Sequence, residues 1–409
     1  MAAYDSAATA RGESVGKKVA IVGGGAAGFF CGIHMKELAG DTDVTIFERQ
    51  SRVLNKVAVS GGGRCNCTNT FEDVSDLAQV YPRGHRLMKR LFNRFGPEDA
   101  YRWFEEHGVA LVSQPDHCVF PKSQDSGEIV SLFTNAARKS GVKVLTDSRI
   151  DDPVRLLGEY DDVVVTVGGL PSQSALSSAL SSYLTLMPCV PSLFSLAIDD
   201  RRLHDLMGLV VEKASVSVPS TKFRTSGALL ITHWGMSGPA ILRLSSHAAR
   251  HLAGTNYRTP LLVNWTGMSN SEEVRSELLS IAARNSSKLL SSYRPFGLQQ
   301  RLWDYLLTKF GKSCRWSELS GRNLNRLVEL LYDDWYQTSG RAPFKDEFVT
   351  CGGVALNTVN PLTMESKEIP HLYFAGEVLD IDGVTGGFNL QACWTTAYVA
   401  AEGVLERNP

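Results

Sequence analysis

The chain has 409 residues, enough for two to three domains, and its 43% hydrophobic and 21% charged composition is that of an ordinary soluble protein. Forty-two Lys and Arg against 43 Asp and Glu leave a net charge of −1, which argues against a constitutive nucleic-acid binder. No apolar run of about 18 residues occurs, which excludes a transmembrane helix, and residues 1–16 lack a signal peptide's apolar core and read as a disordered leader.

Lys17 to Gly23 (KKVAIVG) is a short β-branched run, as expected of a strand buried on both faces. It leads into Gly23-Gly24-Gly25-Ala26-Ala27-Gly28, which fits GxGxxG, and then into a helical pattern through Phe29, Ile33, Met35 and Leu38 to a C-cap at Gly40. A second strand, Val44–Phe47, ends at Glu48, 20 residues after the last glycine. This is the βαβ context that dinucleotide binding requires. Gly23 permits the tight turn, Gly25 lets phosphates approach the backbone, and Gly28 lets helix and strand pack closely. The free N–H groups at the helix start suit a pyrophosphate, and Glu48 can accept from a ribose diol.

Instead of a routine crossover helix, Glu48 is followed by Arg49, Arg52, Lys56 and then Ser60-Gly61-Gly62-Gly63-Arg64-Cys65-Asn66-Cys67. Three consecutive glycines can curl their N–H groups around an anion or a polar ring edge. Lys56 and Arg64 add positive charge. A ligand longer than one NAD half-site, stretched along this loop, fits better than NAD alone. Cys65-x-Cys67 has no partner pair to complete a four-ligand zinc site, so no metal is expected. Cys65 has two readings, an inert buried thiol or a redox group beside a flavin. The eight cysteines, scattered without a CxxC pair, read as reduced thiols in a cytoplasmic setting.

Helices are predicted at His85–Phe95, Pro97–Glu106 and Ser126–Ser140, and strands at Val142–Leu145 and Val163–Val167. Gly168-Gly169 after the latter lets the chain pass close to a ligand. From Pro191 short alternating segments (Phe194–Ile198, Val210–Val218, Ala228–Thr232, Leu261–Val263) suggest a β-barrel or sandwich. His233 in the run HWGMSGP reads as a proton donor or as part of a tight turn. Residues 271–337 have helical spacing, and Thr338–Pro343 reads as the return linker, with 338–343 a candidate closing segment of the barrel.

The C-terminal part carries a second ligand edge. Leu372–Ala375 is a predicted strand ending at Gly376-Glu377. After a loop, Gly386-Gly387-Phe388-Asn389-Leu390-Gln391 opens a helix running to about Arg407. Glu377 is placed to bind a polyol, and the helix start can stabilise negative charge on the pyrimidine end of a reduced flavin. The fold class is therefore α/β. It comprises a discontinuous Rossmann-like domain (17–190 and 344–409), a barrel-like insertion (191–270) and a helical unit (271–337).

VAIVGGGAAG, SGGGRCN, VFP at 119–121, THWGMSGPAIL, TCGGV with TMESK, and YFAGEVLDIDGVTGGFNLQ at 373–391 span Lys18 to about Glu402. In these motifs the chain resembles the BaiN/YhiN-like bacterial FAD-dependent oxidoreductases (aminoacetone oxidase-like flavoproteins), with a glutathione-reductase-like discontinuous FAD domain. The resemblance implies FAD contacts at Gly23, Gly25, Ala26, Ala27, Gly28, Glu48, Arg49, Lys56, Ser60, Gly61, Gly62, Arg64 and Cys65. The C-terminal edge would add Gly376, Glu377, Asp382, Gly387, Phe388, Asn389 and Leu390, and Gly168 joins them from the residue reading. The chain departs from the family pattern at Cys67, where an apolar residue is usual, and at His117-Cys118, where Gly-Arg is common. The turn at Val167–Pro171 lacks the expected longer continuation, and the last helix lacks its usual glycine at 395–397.

Only one complete GxGxxG unit is present, so a nicotinamide would visit the flavin face transiently rather than occupy its own domain. The expectation is hydride transfer between a small organic substrate and flavin N5, as an NAD(P)H-linked reduction of an enone-like compound. An amine oxidase using oxygen is the second enzymatic reading. A non-catalytic flavin sensor and an RNA-associated flavoprotein are readings of other classes. No nucleic-acid or membrane partner is expected. The catalytic acid or base and the oligomeric state cannot be read from the sequence.

Overall fold

The computed structural model describes residues 16–170, 174–342 and 349–406. The leader expected over 1–16 lies, apart from Gly16, outside the described residues. The β-branched run predicted at the start forms strand Lys18–Val22, buried but for its first residue. It is the middle strand of a five-stranded parallel sheet in the order Leu372–Phe374, Asp162–Val165, Lys18–Val22, Asp43–Phe47, Lys143–Leu145. Continuous apolar strands of this kind need helices on both faces. Helices Ala26–Leu38, Ser126–Ser140 and Phe388–Glu406 pack together in this unit, sharing one core with the sheet from Val19 to Val404.

The strand order fixes where a ligand can go. From Lys18–Val22 the chain winds outward to Asp43–Phe47 on one side, while Asp162–Val165 and Leu372–Phe374 lie on the other. The crevice at the carboxyl ends of strands around such a switch point is where open α/β sheets bind ligands. Gly23 stands there.

The inserted part has a separate core, from Leu196 to Tyr336. Its strands close a six-stranded barrel in the order Val210–Ser217, Arg224–Thr232, Gly235–Ser237, Leu196–Ile198, Asp334–Arg341, Pro260–Asn264. Helices Ser271–Arg284, Gln300–Phe310 and Gly321–Tyr332 pack on it. The segment read as the end of the helical unit and the linker is thus the strand Asp334–Arg341, paired on both sides. Its inward positions Asp334, Tyr336 and Thr338 alternate with exposed Trp335 and Gln337. The pattern was hidden because two inward residues are polar. Their partners are Trp265 Nε1 at 3.0 Å for Asp334 and Thr259 for Thr338.

Two smaller differences have local causes. The first helix ends with Ala39, not Gly40, as its cap: the Ala39 N–H reaches Met35 O while its own backbone is already extended. Residues 349–354 form a strand paired with Leu186–Ser192, a pairing that the prolines at 188 and 191 conceal. No described helix is long and apolar enough to cross a membrane.

Candidate functional site

The first edge grows from the end of strand Lys18–Val22. Gly23 has φ +118°, and a Cβ there would lie 2.5 Å from Thr166 O, so no other residue makes this turn without displacing the neighbouring strand. A Cβ on Gly28 would meet Gly23 O at 2.0 Å, which is how closely helix Ala26–Leu38 sits on the turn. Nothing lies within 4 Å of the Cβ position of Gly25. The helix start has neither a side-chain cap nor an acidic residue in its first turn. Its first N–H groups, and the positive end of its dipole, lie beside the open position of Gly25. Glu48 is held at this turn, with Oε2 accepting from Gly24 N at 2.8 Å and Oε1 from Gln50 N at 2.9 Å. Arg49 is exposed beside it.

The glycine loop is a broken helix. Helical geometry starting at Asn55 stops at Ser60 (ψ 149°), and Gly61, Gly62 and Gly63 follow at φ +58°, +70° and +83°. Gly61 faces inward against the Phe120 ring, while Gly62 and Gly63 have nothing within 4 Å of their Cβ positions. Arg64 stacks over Phe120 at 4.2 Å and donates to Gly61 O at 3.1 Å. This bracing lets the turn present backbone rather than side chains.

The C-terminal edge meets these elements directly. Lys56 Nζ lies 2.6 Å from Glu377 Oε2, across 321 residues of sequence. Glu377 Oε1 accepts from Thr350 N at 2.8 Å, and Gly168 lies beside the same carboxylate. Gly376 packs on the first turn of the N-terminal helix, its Cβ position 2.9 Å from Ala27 Cβ. Burial, then the charge of Glu377, pushes the adjacent Cys393 thiol up to about 12. Further along, a Cβ on Gly387 would lie 2.2 Å from Thr68 O. Asn69 donates to Gly386 O at 3.0 Å, Tyr81 to Phe388 O at 2.8 Å and Trp394 to Cys67 O at 2.8 Å. Asn389 staples the loop before its helix, accepting from Gly383 N at 2.8 Å and donating to Gly383 O at 3.0 Å and Val384 O at 3.4 Å. Leu390 is half-buried next to it.

Some expected contact residues are buried within the packing. Asp382 is completely buried; Arg83 grips both its oxygens and Ser192 Oγ donates to it at 2.9 Å. Burial outweighs these partners and raises its carboxyl above the usual carboxylate range. Both its oxygens are engaged within the packing. Cys65 is likewise fully buried. Phe388 is 5% exposed, within an aromatic group with Phe71 and Tyr81. His233 sits at the tip of a two-residue hairpin between Thr232 and Gly235, as the turn reading has it. Sequence reasoning missed Thr166 and Thr350, each of which supports a site residue from a distant segment, and Arg83, which holds Asp382 in the packing. Only the glycines two positions after the two threonines gave any signal.

The insertion is tied to the same loop. Arg83 donates to Ser246 O at 2.8 Å, and Arg250 pairs with Asp380 at 2.7 Å. The open backbone at Gly25, Gly62 and Gly63, two helix starts free of acids and carboxylates at two strand ends fit a flavin dinucleotide stretched across the sheet.

The family model described as the HI0933-like protein Rossmann domain matches residues 17–403. The chain belongs to this family. The HI0933-like family is one of flavoprotein oxidoreductases, and its match spans the motifs in which the sequence resembles BaiN/YhiN-like proteins. Among curated relatives of this HI0933-like chain, the 3-dehydro-bile acid delta(4,6)-reductase of Clostridium scindens is 26% identical over 95% of this chain and 99% of its own length. The ribosomal RNA dihydrouridine synthase of Escherichia coli is 27% identical over 94% and 97%. A remote structural likeness is the 3-ketosteroid delta1-dehydrogenase of Sterolibacterium denitrificans, at 11% identity and TM-score 0.48, over 96% of this chain and all of that one.

Proposed function

We propose that this chain is an FAD-dependent reductase that draws a hydride from NAD(P)H and delivers it to a carbon–carbon double bond conjugated to a carbonyl. The observation that carries the reading is the junction of the two edges: Lys56 on Glu377 at 2.6 Å, and Gly376 seated on Ala27, at the switch point of the parallel sheet. Gly23, Gly25, Ala26, Ala27 and Gly28 would hold the pyrophosphate, and Glu48 the adenosine ribose. The Ser60–Arg64 turn would line the ring, and Glu377 with the start of helix Phe388–Glu406 would hold the far end. FAD, when bound, supplies hydride chemistry. The chain's own contribution is a fixed cradle, a helix start that favours negative charge at one end of the ligand, and an insertion tied through Arg250 to the loop that follows Glu377.

Support for the conjugated-bond substrate comes from two relatives with different names. A delta(4,6)-reductase of a 3-dehydro-bile acid and a dihydrouridine synthase both reduce a double bond in conjugation with a carbonyl. Anaerobic rapid mixing tests the proposal. NADH or NADPH should bleach the visible flavin band within seconds, and an added enone should restore it. A band that neither nucleotide touches, but that an aminoketone bleaches, would replace this reading with the oxidase.

One observation favours RNA as the carrier of the double bond. Residues 191–341 hold 19 Lys and Arg against 12 Asp and Glu, a net of +7, while the rest of the chain holds 23 against 31, a net of −8. The near-zero total conceals a basic insertion on an acidic flavin domain. Such asymmetry is the kind that draws a polyanion to one face. Filter retention of ribosomal RNA that weakens with salt tests this reading.

A further inference from the structure

The Ser60–Arg64 turn is followed by two thiols that the flavin reading does not use. Cys65 and Cys67 have their sulfurs 3.9 Å apart, with the Cys67 S–H pointing at Cys65 Sγ. Both are completely buried and both are free.

The two thiols are held very differently. Cys67 is anchored on both sides: its N–H donates to Val119 O at 2.8 Å and its C=O accepts from Trp394 Nε1 at 2.8 Å. Cys65 sits at φ +59°, directly after three left-handed glycines and Arg64, with its N–H on Ser60 O at 3.0 Å. Two of those glycines have open space around them. Cys65 therefore follows a turn with free space on one side, whereas Cys67 is held from both. The shared S–H···S bond, helped by Ser60 and opposed by burial, lowers the Cys65 thiol below its ordinary range. The same bond and burial raise Cys67 well above it. An acidic attacking thiol beside a protonated partner is the arrangement in which a sulfenic acid is resolved by a neighbour.

We propose that Cys65 and Cys67 form a redox-modified site, closing to an intrachain disulfide under hydrogen peroxide. Cys65 thiolate attacks the O–O bond; an S–O bond forms, and the released hydroxide takes a proton to leave as water. Cys67 sulfur then attacks Cys65 sulfur; the S–S bond forms, the S–O bond breaks and a second water departs. Two thiols lose two electrons and one peroxide gains them. Closing the gap to an S–S distance of about 2.05 Å must draw Cys65 and the glycine turn toward the fixed Cys67. A consequence for flavin retention would rest on the reading proposed above; the disulfide itself does not.

Trypsin places both cysteines, and no other, in the peptide Cys65–Arg83. The whole protein, with whatever flavin it carries, is titrated with hydrogen peroxide, alkylated and digested without reductant. The expected result is a peptide lighter by two hydrogens, resistant to alkylation and restored by dithiothreitol. In Cys67→Val the light peptide should vanish and Cys65 should instead be trapped by a sulfenic-acid reagent. Two outcomes overturn the proposal. In one, the peptide keeps its reduced mass at a peroxide dose that oxidises methionines elsewhere in the chain. In the other, it gains oxygen without ever losing the two hydrogens. Neither depends on bound flavin, so a colourless protein that still forms the disulfide would count against the flavin reading alone.

Discussion

Glu377 and Asp382 lie five positions apart in one loop; the sequence marks Glu377, and the family resemblance Asp382, as ligand-facing acids. Their surroundings separate them. Glu377 remains at the crevice between Lys56 and the Thr350 N–H, whereas Asp382 is enclosed by Arg83 and Ser192. What decides the matter is Arg83, 299 residues away in sequence, and no local pattern announces it. Asp382→Asn would leave the Arg83 guanidinium buried opposite a neutral amide. Breaking one side of a buried pair costs about 3–5 kcal/mol. The expected result is a fall of several degrees in the apparent melting temperature, read by scanning calorimetry, with flavin retention unchanged below the transition. Flavin lost from a protein of undiminished melting temperature would return Asp382 to the binding site.

At the scale of elements, legibility follows how far the burial pattern is set by apolar residues. The strand Lys18–Val22 and the helix Ser126–Ser140 are plain because their buried positions, Ser126 at the helix start aside, are Val, Ile, Phe and Ala. Strand Asp334–Arg341 is not, because Asp334 and Thr338 point inward and are satisfied by groups that the sequence cannot bring together. The glycine turn was legible as a curl but not as the end of a helix beginning at Asn55. The loop before helix Phe388–Glu406 depends on one side chain, since Asn389 makes three hydrogen bonds to Gly383 and Val384. Asn389→Leu keeps the bulk and removes the staple, and each bond lost is worth about 1 kcal/mol net. Freed, the loop should let flavin leave about tenfold faster, equivalent to roughly 1.4 kcal/mol, measured as the rise of free-flavin fluorescence on dilution. An unchanged release rate would mean that this loop does not hold the ligand.

The whole molecule was legible where its two ends share one motif set, because strand, glycine turn and acid recur at each terminus and must complete one sheet. Charge distribution was legible only segment by segment, since a sum of −1 hides units of opposite sign. That hidden polarity yields a prediction that the total charge would not. If the insertion receives RNA, neutralising phosphates with its Lys and Arg releases counterions, and the affinity must fall steeply with salt. For six or more phosphate contacts, retention of a ribosomal RNA fragment should weaken about a thousandfold between roughly 50 and 200 mM salt. Lys222, Arg224 and Lys312 are exposed on the insertion, so reversing all three to Glu should flatten that salt dependence. None of them touches the glycine turns or Glu377, so flavin bleaching by NADPH in the triple variant should proceed at the parent rate. RNA retention that is indifferent to salt, or equal in parent and variant, would remove the insertion as its docking face and leave the small conjugated carbonyl compound as the substrate to pursue.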